Sequence, residues 1–157
     1  MHRISLLTGA AVTALCLFTA PARADNEAIV VTATRTPTPA QTLPARIEVM
    51  GRADIEALGL GTLAEAVGPE AVQSGGAGQQ TSVFLRGANS NHTLALFDGV
   101  RLNDASTPTG AYDLGEDTLG GLERVEVLRG PASSVYGADA LGGAVNMIPR
   151  RGGATAF

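Results

Sequence analysis

Few side chains in this sequence are able to do chemistry, and their spacing excludes more than it allows. The 157 residues contain two histidines, His2 and His92. The first stands in an apolar leader, so one imidazole remains for any acid–base, nucleophilic or metal role. A single histidine makes neither a His-rich metal site nor HExxH, and no GxSxG elbow accompanies it. His92 therefore reads as a polar loop residue. Lysine is absent, which removes Schiff-base chemistry and the P-loop lysine together. The one cysteine, Cys16, falls in the leader, leaving no thiolate and no disulfide framework after it. Gly75-Gly76-Ala77-Gly78 is glycine-rich, yet it follows no clear strand, opens no helix and lacks the GxGxxG spacing, so it reads as a flexible loop. No enzyme constellation is present, no cofactor is implied, and Asp98, Asp104 and Asp113 do not amount to a metal site.

The leader has the three parts of a secretory signal peptide: a basic start at Met1-His2-Arg3, an apolar run from Ile4 to Phe18, and a small-x-small pattern at Ala22-Arg23-Ala24. The apolar run falls short of the ~20 residues a spanning helix needs. Leu15 before Cys16 argues against a lipoprotein anchor. Without residues 1–24, nine arginines face fifteen acids, a net charge of −6. An acidic chain with scattered arginines is a poor partner for nucleic acid, whose binding is dominated by phosphate neutralisation.

The elements that must position any site follow from periodicity and punctuation. Residues 25–45 read as an extended arm: the β-branched run Ile29-Val30-Val31-Thr32 has strand propensity, and Pro37, Pro39 and Pro44 deny helix hydrogen bonds. Residues 46–151 read as the globular part. Arg46–Val49 alternates as a half-buried strand should. A short helix is expected around Asp54–Leu58, stopped by Gly59 and Gly61. Thr62 and Glu65 fit a capping box, with Leu63, Ala66 and Val67 facing inward and Gly68-Pro69 ending the helix. A strand is expected over Ser82–Arg86. Leu94–Phe97, Asp98-Gly99 and Val100–Leu102 make the clearest hairpin, because Asp-Gly supplies the positive φ angles of a tight turn. Asp104–Tyr112 reads as loop, Arg124–Leu128 as another alternating strand, Pro131 as the start of a helical turn, and Ala144–Ile148 as a last short strand. The fold class is α+β: a small mixed β-sheet with short helices and long loops. Loops this long in a compact domain imply function or support from outside.

Three separated stretches carry a resemblance. Ile29-Val30-Val31-Thr32-Ala33 resembles the TonB box. Ser82-Val83-Phe84-Leu85-Arg86-Gly87, continuing to Leu96-Phe97-Asp98-Gly99-Val100-Arg101-Leu102-Asn103, and the run from Arg124-Val125-Glu126 to Asn146, resemble the plug domain of TonB-dependent outer-membrane receptors. The likeness covers about residues 27–151 and, within the family, looks greatest to the plug of the cobalamin receptor. It implies a plug seated in a β-barrel of about 22 strands, uptake of cobalamin, a ferric siderophore or a similar scarce nutrient, and pulling by TonB on a box at Glu27, Ala28, Ile29, Val30, Val31, Thr32 and Ala33. By motif position it assigns ligand contacts to Gln80, Ser82, Asn89, Thr107 and Pro108, and it makes the 94–102 hairpin ligand-facing.

Two further expectations concern what surrounds the plug. Arg86, Arg124, Arg129, Glu123 and Glu126 read either as charges meeting a polar barrel wall or as the solvated face of two strands. A barrel at roughly ten residues per strand exceeds this chain, with residues 152–157 the start of a barrel or a tail. The chain is thus expected to be the plug of a truncated or split receptor in the outer membrane, or else a free periplasmic module that binds TonB or a ligand without transport.

Overall fold

The computed structural model describes residues 29–30, 36–39, 46–76, 78–103 and 108–152. The expected signal peptide, residues 27, 28 and 31–33 of the box, residues 104–107 and the tail beyond 152 lie outside the described residues.

A five-stranded sheet forms the centre, built from β3 (Arg46–Gly51), β6 (Thr93–Phe97), β7 (Val100–Arg101), β8 (Leu122–Arg129) and β9 (Gly143–Pro149) in the order β3-β8-β9-β6-β7. Only the β6–β9 pair is parallel; the other three are antiparallel. The arm contributes β1 (Ile29–Val30) and β2 (Thr38–Pro39), which pair with each other, and β4 (Ala71–Gln73) pairs with β5 (Thr81–Val83). Among the described residues there are three short α-helices, α1 (Arg52–Leu58), α2 (Leu63–Val67) and α3 (Ser133–Tyr136). This is the expected small mixed sheet with short helices.

The sheet is packed on both faces. Alternate side chains of the inner strands divide between two apolar clusters: Val125, Val127, Val145 and Met147 join Ile55 of α1 and Leu63 and Val67 of α2. Leu128, Ala144, Leu94 and Leu96 join Tyr136 of α3. Two-sided burial corrects the expectation for 124–128. Val125, Val127 and Leu128 are all buried, and so is Glu126 between them, because β8 lies inside the sheet with a packed layer above and below.

Local chemistry sets the element ends. Thr62 caps α2 as expected: the Glu65 amide donates to Thr62 Oγ1 at 3.4 Å, and the amides of Gly61 and Thr62 donate to Glu65 Oε2 at 2.7 and 3.1 Å. Those two backbone donors hold the Glu65 carboxyl below its ordinary pKa. Gly59, at φ 65, ends α1 in the left-handed conformation. Asp98 and Gly99 take φ 49 and 81, the tight turn of the β6–β7 hairpin. The expected strand at Ser82–Arg86 is shorter than its residues suggest. It spans Thr81–Val83, and a 3-10 turn over Leu85–Gly87 follows, with Arg86 at φ 54. The Phe84 amide still donates to the Glu70 carbonyl at 2.9 Å, but the chain then turns, with Phe84 at ψ 64 and Arg86 in the left-handed region.

Candidate functional site: an arm and polar loops at opposite ends of one sheet

The strand directions define two ends. Because β6 and β9 are parallel, Thr93 and Gly143 mark one end while Phe97 and Met147 approach the other. Arg129 pairs with both Gly143 and Arg46, placing the starts of β3 and β9 at the first end.

Of the arm, the described residue Pro37 lies at the second end. Pro37, which precedes β2, lines a cavity of about 500 Å³ together with Asp98, Glu123, Arg124, Pro149 and Arg151. Arg151 donates to Asp98 Oδ1 at 3.3 Å. The β6–β7 turn therefore shares that cavity with Pro37 through Asp98, while Arg101 of the same hairpin reaches the loops described next. Of the expected box, Ile29 and Val30 are described; they pair with Pro39 and Thr38. The β-branched segment thus finds a strand partner within the arm itself, in the proline-containing stretch read as merely extended.

At the first end, Asn89 precedes the 3-10 turn Ser90–His92, and Pro108 precedes Thr109 and Gly110. Asn91, His92, Arg101, Thr109, Gly110 and Asp139 line a polar cavity of about 330 Å³ between them. Arg101 is held there by an ion pair with Asp139 and by donation to the Tyr136 carbonyl at 2.9 Å. Asn89 and Pro108 are exposed neighbours of this cavity without lining it. Gln80 and Ser82 lie elsewhere, at the Thr81 end and middle of β5, with Ser82 paired to Val72. The four described ligand candidates thus fall on two features, β5 and the surroundings of this cavity, and Thr107 lies outside the described residues.

The residues that build these ends were mostly not singled out from sequence. Asn103 acts as a strand residue through its side chain: Oδ1 accepts the Ala95 amide at 2.8 Å, and Nδ2 donates to the carbonyls of Thr93 at 3.2 Å and Gly110 at 3.1 Å. It extends the pairing of β6 beyond short β7 and fastens the 108–110 loop. Asp113 Oδ1 accepts the amides of Thr81 at 2.8 Å and Gly115 at 2.9 Å, joining β5 to the 111–121 loop. Tyr112 donates to Asp117 Oδ1 at 3.2 Å while Asp117 Oδ2 is buried without a partner. Burial, outweighing the Tyr112 hydrogen bond, raises the Asp117 pKa, with Asp113 adding to the rise. Burial and then the Asp117 charge push the Tyr112 phenol up to about 12. An Asn or Asp in a loop carries no spacing that announces such bonds, which explains why sequence passed over them.

The charged residues are largely paired within the chain. Arg124 Nε donates to Glu126 Oε1 at 2.8 Å. Arg129 forms ion pairs with Glu48 and Glu70, the latter at 2.7 Å, and donates to the Val67 carbonyl at 3.3 Å. Burial opposes the Arg129 charge, but its hydrogen bonds to Glu70 and Glu48 outweigh that and raise its pKa. Arg86 is exposed, and its backbone amide donates to Glu70 Oε1 at 3.2 Å. A merely solvated face is therefore ruled out for Glu126 and Arg129. It fits Glu123, which is exposed.

A two-faced mixed sheet with Pro37 of an N-terminal arm at one end and polar loops at the other is a plug-type module. The chain belongs to the TonB-dependent receptor plug domain family, whose model matches residues 39–144. Solved structures agree. The ferripyoverdine receptor of the Pseudomonas aeruginosa outer membrane, bound to ferripyoverdine, superposes with a TM-score of 0.64 over 79% of this chain and 16% of that one, at 23% identity, a likeness of fold alone. The siderophore receptor PiuA from Acinetobacter baumannii gives 0.57 at 27% identity, covering 81% of this chain and 18% of that one. A mutant of the ferric enterobactin receptor PfeA from P. aeruginosa, in complex with enterobactin, gives 0.51 at 26% identity over 71% and 18%. The chain thus spans less than a fifth of the receptors it matches, in a family of transport receptors and not of enzymes.

Proposed function

We propose that this chain serves as the plug of an outer-membrane uptake receptor, seated in a β-barrel, with Glu27–Ala33 offered to TonB on the periplasmic side. The observation that carries this reading is the two-ended sheet. Pro37 of the arm shares a cavity with the end of β9 and the β6–β7 turn, while Asn89 and Pro108 belong to loops at the other end. In that arrangement the exposed Gln80, Asn89 and Pro108, half-buried Ser82, and Thr107 are the candidate ligand contacts.

The cargo is a large, scarce nutrient. The named receptors PiuA and PfeA are siderophore receptors, which favours a ferric siderophore over the cobalamin suggested by the sequence motifs. Short polar side chains on loops suit the amide- and oxygen-rich surface of either. The box segment suits strand addition: extended backbone supplies the grip on a sheet edge, and alternate side chains supply selectivity.

Val31→Pro removes one backbone donor from the segment. Cells carrying this variant should lose uptake of the labelled nutrient and keep its binding at the surface, and the variant should no longer be captured by immobilised TonB. Normal capture by TonB would sink the coupling role; supplying ferric siderophore and cobalamin in parallel identifies the cargo.

A further inference from the structure

The strands of the central sheet are unequally held. β9 buries six of its seven residues and β8 five of its eight, whereas β3 buries none of its six. Ile47 and Met50 pack only partly against the two apolar clusters. Among the described residues β3 is also an edge strand, paired with β8 alone. Segments with little buried apolar surface and solvent-facing backbone open locally at a fraction of the cost of global unfolding.

What fastens β3 beyond its ladder is concentrated at its first residues. Arg46 pairs with Arg129, and the Arg129 guanidinium reaches Glu48 two residues further along. The same guanidinium takes Glu70 and the Val67 carbonyl, so one side chain ties β3, the connection from α2 to β4, and β8. Arg129 is 16% exposed and Glu70 22%, but Glu48 is 53% exposed. A cavity of about 520 Å³ lined by Arg46, Glu48, Glu70, Arg86 and Arg129 adjoins the cluster. The Glu48 contact is therefore the one water can replace. Beyond Gly51 the hold strengthens again, since Ile55 is 2% exposed and Arg52 donates to the Leu119 carbonyl at 3.1 Å.

We propose that β3 is a detachable edge strand, latched to the rest of the plug by Arg129 through Glu48. Release of that contact frees residues 46–51 as a unit, bounded by α1, while β8, β9 and β6 stay assembled. The Arg129–Glu70 bond remains after release and keeps the guanidinium placed for β3 to re-dock. The physiological role rests on the proposed function in one respect. If the arm ahead of Arg46 is what TonB grips, tension meets β3 before any other strand of the central sheet.

Native-state hydrogen exchange on the full chain tests the latch without TonB. In wild type the β3 amides bonded to β8 should exchange faster than those of β9. Glu48→Gln should raise the β3 rates about two- to fivefold, the scale of an exposed ion pair, and Arg129→Gln, which also loses Glu70 and the Val67 carbonyl, about tenfold, with β9 rates unchanged in Glu48→Gln. Glu48→Gln carries the test if Arg129→Gln fails to fold, because Glu48 is half exposed. Unchanged β3 exchange in Glu48→Gln, or an equal rise in β3 and β9, would overturn the proposal. TonB capture should be the same in Glu48→Gln as in wild type, so loss of the latch and loss of the coupling segment give separate readouts.

Discussion

Replacing Asn103 should cost stability out of proportion to its partial exposure, and the cost can be worked from its three bonds. Ala95 is 3% exposed and Thr93 5%, so the donor and acceptor they present to Asn103 lie away from water. In Asn103→Ala the Ala95 amide loses its acceptor; leaving a buried donor unsatisfied costs about 1–3 kcal/mol. The Thr93 and Gly110 carbonyls lose one donor each, at about 0.5–1 kcal/mol apiece, and Gly110 recovers part of that from solvent. The expected loss is about 2–4 kcal/mol in urea unfolding, with the 108–110 loop the first segment to gain mobility. Asn103→Asp separates the terms. Its carboxylate still accepts from Ala95 but faces two carbonyl oxygens, so its folded pKa should rise above the unfolded value of about 3.9. A raised carboxylate pKa means that the folded state binds more protons. The penalty is therefore full above the folded pKa and fades as pH falls through it towards the unfolded value. Asn103→Ala should show no such recovery. A loss below about 0.5 kcal/mol for Asn103→Ala, the scale of an ordinary surface change, or wild-type stability of Asn103→Asp at pH 7, would refute the strand-extension role.

Two further substitutions probe the packing. A Cβ on Gly143 would lie 2.1 Å from the Leu128 carbonyl oxygen, and the residue has φ +149. Gly143→Ala should cost about 2–4 kcal/mol from overpacking and backbone strain, read by urea unfolding. Asp117 carries a pKa raised by burial and an unpartnered Oδ2. Asp117→Asn should therefore stabilise the chain at pH 7, by less than about 1 kcal/mol after solvent screening. That gain should disappear as pH falls through the raised folded pKa to the ordinary carboxylate value, because both forms are then neutral; a gain unchanged by pH would show that the charge is not the cause.

Much of the fold was legible because local signals and tertiary demands agree. The Thr62–Glu65 box, the left-handed Gly59 and the Asp98-Gly99 turn are local chemistry and stand where their residue types require. Strand burial was less legible. Alternation over 124–128 implies one wet face, but Glu126 is enclosed, because what covers a strand depends on distant segments. The end of β5 was hidden too: nothing in Phe84-Leu85-Arg86 announces a turn that puts a non-glycine residue, Arg86, at φ 54. The candidate site was legible in its motifs and poorly in its geometry. Gln80 and Asn89 are near in sequence but sit on separate features, while Asn103, Asp113 and Glu70 organise the ends through single bonds that no spacing rule reveals.

The central claim is that the arm couples this plug to TonB. Its most direct test is the affinity of the chain for the periplasmic domain of TonB, measured by titration calorimetry with and without residues 27–33. Saturable binding that disappears on removal of the segment, and is competed by a peptide of those seven residues, is the predicted result. Absence of binding, or binding that survives the deletion unchanged, would contradict the account.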